Sequence, residues 1–123
     1  MAKSALTEKQ IGELAEQIYQ LLKENDIWMD TDIYYNNRVM TNKDGNGQYQ
    51  YDGSVYLYLD TPPIGPFDTP GHILSMTFEG PVYQMFNHGS YPAVRRKFDR
   101  ILKRFGLYYE FHDAWNLDCC YEN

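Results

Sequence analysis

Hydrophobic residues recur every three or four positions in two stretches of the chain, which predicts two amphipathic helices. The first covers residues 6–25, where Thr7 and Gln10 have the spacing of a capping box. The second begins at Pro92 and extends to residue 105, followed by Gly106 as a terminating residue. The apolar stripes of the two helices consist of Ile11, Leu14, Ile18, Leu21 and Leu22, and of Val94, Phe98, Ile101, Leu102 and Phe105.

Alternating apolar and polar positions predict strands elsewhere in the chain. Residues 27–40 are typical of a hairpin that turns at Asn36-Asn37, although one longer bent strand is an alternative. Val55, Leu57 and Leu59 predict a strand with an aliphatic core face and tyrosines on its second face. Further strands are expected from His72 to residue 79, from Leu107 with Tyr109 and Phe111 facing inward, and from Trp115 to Tyr121 with Trp115 facing inward.

The remaining segments complete one domain. Gly80-Pro81 predicts the start of a short helix that ends at Gly89, and the four prolines of Thr61–Gly71 predict a stiff, irregular loop. We find no repeat or linker that would divide the 123 residues. The pattern therefore predicts a single α+β domain over residues 1–123. Its sheet is mostly antiparallel, with two longer amphipathic helices on one face and one short helix.

Composition narrows the classes of function. The chain is 43% hydrophobic, enough for a sizeable core. No apolar run approaches the ~18–20 residues that span a bilayer. The first eight residues also lack the apolar stretch of a secretory signal. We therefore expect a cytoplasmic protein without a membrane role.

Residues with catalytic or metal-binding chemistry are sparse. His72, His88 and His112 lie on three different predicted elements without metal-ligand spacing, so we expect neither a metal nor another cofactor. Cys119 is in phase with core positions, and Cys120 lies near acidic residues that disfavour a reactive thiolate. Phosphate-binding-loop and EF-hand spacings are both missing from the sequence. We therefore expect a protein that is not an enzyme, with an unrecognised small enzyme as the alternative.

Charge is distributed unevenly along the chain. The formal net charge is −6, but residues 95–105 hold six basic residues and one aspartate, or +5, which leaves −11 elsewhere. Arg96, Arg100 and Lys103 form an exposed stripe of the second helix. This stripe could pair with Glu13, Glu16 or Glu24 of the first helix, or bind an acidic protein or a nucleic acid. The negative remainder opposes binding of a nucleic acid.

Acidic residues and tyrosines are interleaved in the first half of the chain. The 12 tyrosines favour a binding surface, because tyrosine covers contact area at low entropic cost. Carboxylates between them could mimic a row of phosphates toward a basic groove, whereas turn chemistry and solubility are the simpler explanation. The predicted partner-binding residues are Asp30, Asp32, Tyr34, Tyr35, Asp44, Tyr49, Tyr51 and Asp52, together with Arg96, Arg100 and Lys103 of the basic helix.

Three segments of the C-terminal half carry a resemblance: residues 73–81, residues 106–110 and residues 114–117. They resemble small accessory proteins of bacterial mobile elements. The resemblance implies an inhibitor of the anti-CRISPR or antirestriction kind, which would be small, acidic and non-enzymatic. We therefore expect a basic, nucleic-acid-handling protein as the partner that is blocked. Direct binding of nucleic acid is less favoured, and a homodimer that joins the basic helix to the acidic face is left open.

Overall fold

The structure, a computed structural model, describes residues 5–60 and 72–122, with only the backbone described at His72. Within these residues the helices are α1 (Glu8–Glu24), α2 (Gly80–His88) and α3 (Pro92–Arg104). The strands are β1 (Thr31–Tyr35), β2 (Arg38–Thr41), β3 (Tyr56–Tyr58), β4 (His72–Phe78), β5 (Leu107–Asp113) and β6 (Asn116–Tyr121). They form one antiparallel sheet in the order β3-β2-β1-β4-β6-β5. The predicted α+β class is confirmed.

Local sequence signals set the ends of several elements. The hydroxyl of Thr7 accepts from the Gln10 backbone at 3.1 Å, and the Gln10 side chain accepts from the Thr7 backbone at 2.9 Å. This is the predicted capping box. Asn36 and Asn37 have φ values of 47° and 58° between β1 and β2, the left-handed conformation of a two-residue hairpin turn. The hairpin, rather than one bent strand, is the structure that forms.

The core lies between the first face of the sheet and the two longer helices. Leu14 and Ile18 of α1 are fully buried in the same cluster as Ile33 of β1 and Met76 of β4. α3 adds Phe98, whose ring centroid lies 5.4 Å from that of Phe86 and 5.3 Å from that of Tyr109. Cys119 is buried there too, as its phase in the sequence predicts.

The second face of the sheet carries rows of polar side chains. Residues that pair directly across antiparallel strands lie on the same face. Asp32 pairs with Thr41 and Thr77, and Thr77 pairs with Asn116. The next row joins Tyr34, Ser75 and Asp118 in the same way. Because Asp32 alternates with the core residue Ile33, both rows lie opposite the helices.

The prediction for the strand around residue 57 is wrong about its core face. Only Tyr56–Tyr58 form β3, and Val55, Leu57 and Leu59 are 38%, 48% and 61% exposed. β3 is an edge strand of the sheet. At this edge the first face extends past the described helices, so nothing within residues 5–60 and 72–122 forms a layer over the aliphatic side chains.

Two predictions near the C-terminus also need correction. Trp115 precedes β6 and is 45% exposed instead of facing inward, and Phe111 is 44% exposed although it lies on the first face. The predicted loop at Thr61–Gly71 and the side chain of His72 fall outside the described residues. Among the helices that are described, none has the length and apolar character needed to cross a membrane.

Candidate functional site

A small cleft of about 170 Å³ opens at one end of the sheet. Asp30 lies just before β1, Glu79 follows β4, and Trp115 precedes β6. Because these strands are neighbours in the sheet, their ends bring the three residues together. We call this feature the acidic cleft; its lining residues are Asp30, Asp32, Tyr49, Thr77, Phe78, Glu79 and Trp115.

Asp30 is held in place from several sides. Its backbone N–H donates to Oδ1 of Asn42 at 3.1 Å, and its carbonyl accepts from the backbone of Glu79 at 2.9 Å. Its φ of 53° is left-handed, a conformation that aspartate tolerates better than most residues. The hydroxyl of Tyr51 donates to Oδ1 of its carboxylate at 2.9 Å. An ideal Cβ on Gly80 would lie 3.1 Å from Oδ2, so the carboxylate sits close against the start of α2.

The segment that carries Tyr49 and Tyr51 is anchored by the buried side chain of Asn42. This amide donates to the Gln50 carbonyl at 3.1 Å, while the Gln50 backbone donates to the Asn42 carbonyl at 2.8 Å. The two tyrosine rings stack with centroids 6.4 Å apart and planes 16° apart. Nζ of Lys43 lies 4.9 Å from the centroid of Tyr49. The rings therefore have a defined place beside the cleft.

Asp32 forms the floor of the cleft on the second face of the sheet. Its Oδ2 accepts from the hydroxyl of Tyr34 at 3.4 Å and from the hydroxyl of Thr77 at 3.5 Å. Burial, followed by the charge of Asp32, raises the pKa of Tyr34 from 10.0 to about 12. Tyr34 thus remains a neutral donor beneath the carboxylate throughout the physiological pH range.

This tyrosine leads to a prediction about alkaline stability. The raised pKa of Tyr34 adds to the free energy of unfolding. This addition is fully present below pH 10.0 and is lost as the pH rises toward 12, since only the unfolded chain releases the proton in that window. We expect the free energy of unfolding to fall by on the order of 1 kcal/mol per pH unit there. Urea unfolding midpoints on either side of pH 10 measure this fall. Tyr34→Phe should reduce this slope, and Tyr35, Tyr109 and Cys119, whose pKa values are also raised, should maintain the rest of it. Equal slopes for the two proteins would contradict the assignment.

The other predicted acidic and tyrosine residues lie outside the cleft. The Asp44 carboxylate accepts from the backbone N–H groups of Gln48 and Asn46 at 3.0 and 2.9 Å, and these bonds lower its pKa. Asp52 lines a neighbouring hollow with Lys23, and its hydrogen bonds to Ser54 lower its pKa. Tyr35 is buried on the first face. As a buried core residue, it cannot share a surface with Tyr34.

The basic side chains of α3 form a separate surface. Arg96, Arg100 and Lys103 are all exposed and belong to the helical layer, on the opposite side of the sheet from Asp32. Arg104 donates to the amide oxygen of Gln17 at 3.1 Å. Within the described residues, 5–60 and 72–122, no ion pair joins α3 to the glutamates of α1. The pairing with Glu13, Glu16 or Glu24, one of the alternatives that the sequence leaves open, is therefore not formed.

Besides Thr77 and Phe78 of the lining, three residues that shape the site were missed from the sequence. Glu79 and Trp115 line the cleft, and Asn42 anchors its tyrosine segment. In the sequence, Glu79 stands at the end of a predicted strand, next to Gly80, and Trp115 stands at the start of the last one. These positions at strand ends were the only indication that the two residues could belong to a site. Asn42 gave no such signal, because an asparagine after a strand is typical of an exposed turn, whereas this one is fully buried.

A second polar cluster lies in the middle of the sheet's second face. The Ser75 hydroxyl donates to Oδ1 of the buried Asp118 at 2.5 Å, and Oδ2 of Asp118 contacts Nε2 of His112. Burial raises the pKa of Cys119 far above its ordinary value and, with Glu110 and Asp118, raises that of Cys120. In the part of the chain that the structure describes, no cluster of His, Cys, Asp and Glu has a metal-binding arrangement.

Comparison of the chain with protein-family models, with curated proteins and with solved structures finds no match. The resemblance to accessory proteins of mobile elements therefore stays a prediction.

Proposed function

We propose that the protein is a non-enzymatic binding protein that blocks a basic, nucleic-acid-handling protein through its acidic cleft. The observation that carries this proposal is the convergence of Asp30, Asp32 and Glu79 around one opening beside exposed rings. Carboxylates attract a cationic surface during the encounter, and aromatic rings supply contact area once it is reached. Proteins that handle nucleic acids display such cationic surfaces, because they neutralise phosphates.

The charge of the whole chain supports a protein partner over a nucleic acid. Outside residues 95–105 the chain carries −11, which repels a polyanion and steers a cationic partner toward the protein. The cleft lies among these negative charges. Direct binding of DNA or RNA would have to use α3, where Arg96, Arg100 and Lys103 are exposed. That is the second candidate function, supported by the lack of ion pairs from α3 to α1 within the described residues.

An enzymatic alternative would rest on Ser75, Asp118 and His112. The carboxylate of Asp118 lies between the hydroxyl of Ser75 and the imidazole of His112. A nucleophilic serine needs the imidazole as its immediate partner, to take the proton from its hydroxyl. Ser75 is also fully buried, out of reach of a substrate. This order of groups favours a structural role for the cluster.

Affinity capture with three versions of the full chain tests the proposal. The baits are the native protein, a cleft variant (Asp30→Asn, Asp32→Asn, Glu79→Gln) and a control (Glu13→Gln, Glu16→Gln, Glu24→Gln) that loses three exposed charges on α1. Quantitative mass spectrometry of material captured from a bacterial lysate identifies partners. The captured protein is then purified, and its binding to labelled DNA or RNA is measured with each bait added.

We expect the native and control baits to capture the same basic protein and to suppress its nucleic-acid binding. The cleft variant should require at least a tenfold higher concentration for the same suppression, which corresponds to about 1.4 kcal/mol. Equal suppression by the cleft variant would contradict the proposal. Salt-sensitive binding of DNA or RNA by the protein alone, lost in Arg96→Glu plus Arg100→Glu, would establish the second candidate instead.

A further inference from the structure

The outer edge of β5 presents backbone groups that have no partner strand in the part of the chain that the structure describes. β5 is the terminal strand of the sheet, at the opposite edge from β3. The carbonyl of Gly106 accepts from the backbone N–H of Glu122 at 3.0 Å, and hydrogen-bonded pairs alternate along antiparallel strands. Tyr108 and Glu110 therefore bond to β6 through their backbones. The residues of β5 whose N–H and C=O groups point outward are Leu107, Tyr109 and Phe111.

The length and side chains of β5 make this edge suitable for pairing. β5 has seven residues, whereas β3 has three. It contains neither lysine nor proline, the residues that commonly protect an exposed edge. Its bulge lies between Phe111 and Asp113, so residues 107–111 remain regular. Phe111 and Tyr108 are 44% and 38% exposed, which leaves aromatic area for a partner to cover.

A hollow of about 270 Å³ opens beside the same edge, between α3 and the start of β5. Leu102 and Leu107 line it and are each 1% exposed. Tyr109 also lines it, and its hydroxyl already donates to Oδ1 of Asp99 at 2.7 Å. The hollow exceeds the roughly 150 Å³ that accommodates a benzene ring. It can therefore hold one aromatic side chain.

Two-fold antiparallel pairing of β5 with β5 of a second copy joins the exposed ring to the hollow. When the axis passes at Tyr109, Phe111 of one copy lies opposite Leu107 of the other, and the outward backbone groups all find partners. Directly opposite residues share a face of the sheet, with Cβ atoms about 5 Å apart, so the ring of Phe111 reaches the hollow beside Leu107. An axis at Glu110 would instead oppose two carboxylates, and an axis at Phe111 would extend the pairing through the bulge.

Charge favours the same orientation. β5 starts just beyond the C-terminal end of α3, where Lys103 and Arg104 are exposed and form no ion pair within residues 5–60 and 72–122. The acidic residues of β5, Glu110 and Asp113, lie in its second half and are also exposed. Antiparallel pairing places the second half of one β5 beside the first half of the other. The acidic end of each strand thus meets the basic end of α3 in the other copy.

We propose that the protein forms a two-fold dimer through its β5 edges, with Phe111 of each copy seated in the hollow between α3 and β5 of the other. Such an interface is isologous, because both copies contribute the same ring and the same hollow. It is distinct from a dimer that joins the basic helix to the acidic cleft, and it does not depend on the proposed function. One strand pair and two rings bury a small area for a specific interface, so the dimer dissociates on dilution.

Sedimentation velocity of the full chain over a wide range of concentrations measures the dissociation constant of the dimer. We expect Phe111→Ala to raise this constant at least tenfold, because the ring that fills the hollow is lost. Leu57→Lys is the matched control, since it changes an exposed aliphatic residue at the other edge of the sheet. It should leave the constant unchanged. Circular dichroism checks that both variants keep the native fold.

A charge exchange tests the orientation of the two strands. Asp113→Lys should raise the dissociation constant at least threefold, because the new charge repels Lys103 and Arg104 of the other copy. Lys103→Asp in the same chain should then recover part of the affinity, since the exchanged charges attract each other again. Parallel strands, or pairing at another edge, would give no recovery.

Hydrogen exchange followed by NMR tests the register residue by residue. The amides of Tyr109 and Phe111 point outward, so their exchange should slow at least threefold when the concentration is raised from mostly monomer to mostly dimer. Glu110 is the internal reference, because its amide bonds to β6 in both states. Phe111→Ala should abolish the slowing at Tyr109.

The outcomes that contradict the proposal are distinct. A protein that stays monomeric at all concentrations would overturn it, as would exchange at Tyr109 and Phe111 that does not depend on concentration. A dimer that Leu57→Lys dissociates and Phe111→Ala leaves intact would assign the interface to β3. A dimer that is lost only in Asp30→Asn plus Glu79→Gln would assign it to the acidic cleft and the basic helix.

Discussion

Replacing Phe98 by alanine is expected to lower the free energy of unfolding by about 3–5 kcal/mol. Phe98 is fully buried on α3, and its ring meets Phe86 of α2 and Tyr109 of β5 edge to face. Its loss would remove buried apolar area and two aromatic contacts, and it would leave a cavity where a helix meets the sheet. Urea unfolding followed by circular dichroism measures the change.

Phe111→Ala is the matched control for this substitution. Phe111 also lies edge to face with Phe86, at a centroid distance of 5.4 Å, but 44% of it is exposed. We expect its truncation to cost about 1 kcal/mol, since less area leaves the interior and water fills the space. Similar costs for the two variants would mean that α3 does not pack as described.

Asp118→Ala is expected to lower the free energy of unfolding by about 2–4 kcal/mol, because it removes a buried carboxylate that is hydrogen-bonded to Ser75 and in contact with His112. Asp118 is 1% exposed and links β4 to β5 by accepting from Ser75 and contacting His112. The measurement is again the urea unfolding midpoint, at a pH near neutrality. A loss below about 1 kcal/mol would be typical of an exposed pair and would contradict the burial of this one.

A double-mutant cycle separates the two halves of this cluster. Ser75→Ala removes only the hydroxyl that donates to Oδ1 of Asp118 at 2.5 Å. Because the hydroxyl has no carboxylate to bond once Asp118 is alanine, the double variant should cost less than the sum of the single variants. Strict additivity would show that the serine and the aspartate do not interact in solution.

The elements that the sequence predicts well are those whose signals are local. Thr7 and Gln10 form their capping box within one helical turn, and the Asn36-Asn37 turn needs only two residues that tolerate positive φ. The apolar stripes of α1 and α3 repeat often enough to identify their buried faces. In each case the decisive contacts lie within a few residues, so neighbouring positions in the chain contain the information.

The wrong predictions concern the burial of strand residues, which depends on the face they occupy and on what packs against that face. Alternation around residue 57 correctly indicates a strand, but it cannot indicate that β3 lies at an edge that the helices leave uncovered. Tyr34 and Tyr35 were assigned to one surface, although adjacent strand residues point to opposite faces. That separation was readable from the sequence once both residues were placed on a strand.

The candidate site is harder to predict because it is assembled from distant parts of the chain. Asp30 and Asp32 were identified as acidic positions, but Glu79 and Trp115 join them only through the order β1-β4-β6. That order is non-sequential, and nothing in a single sequence specifies it. Asn42 is similar, because its amide bonds to Asp30 and Gln50 exist only after the loop following β2 folds back over β1.

Within residues 5–60 and 72–122 no strand or helix covers the outer edge of β3, and this has a consequence for how the protein behaves when concentrated. A short strand with unpaired backbone groups and aliphatic side chains is a template for strand addition between molecules. In β3 the exposed Leu57 and the flanking Val55 and Leu59 supply that template. Negative charge elsewhere on the chain keeps molecules apart at low salt, and salt screens that repulsion. Colloidal stability should therefore decline as ionic strength rises.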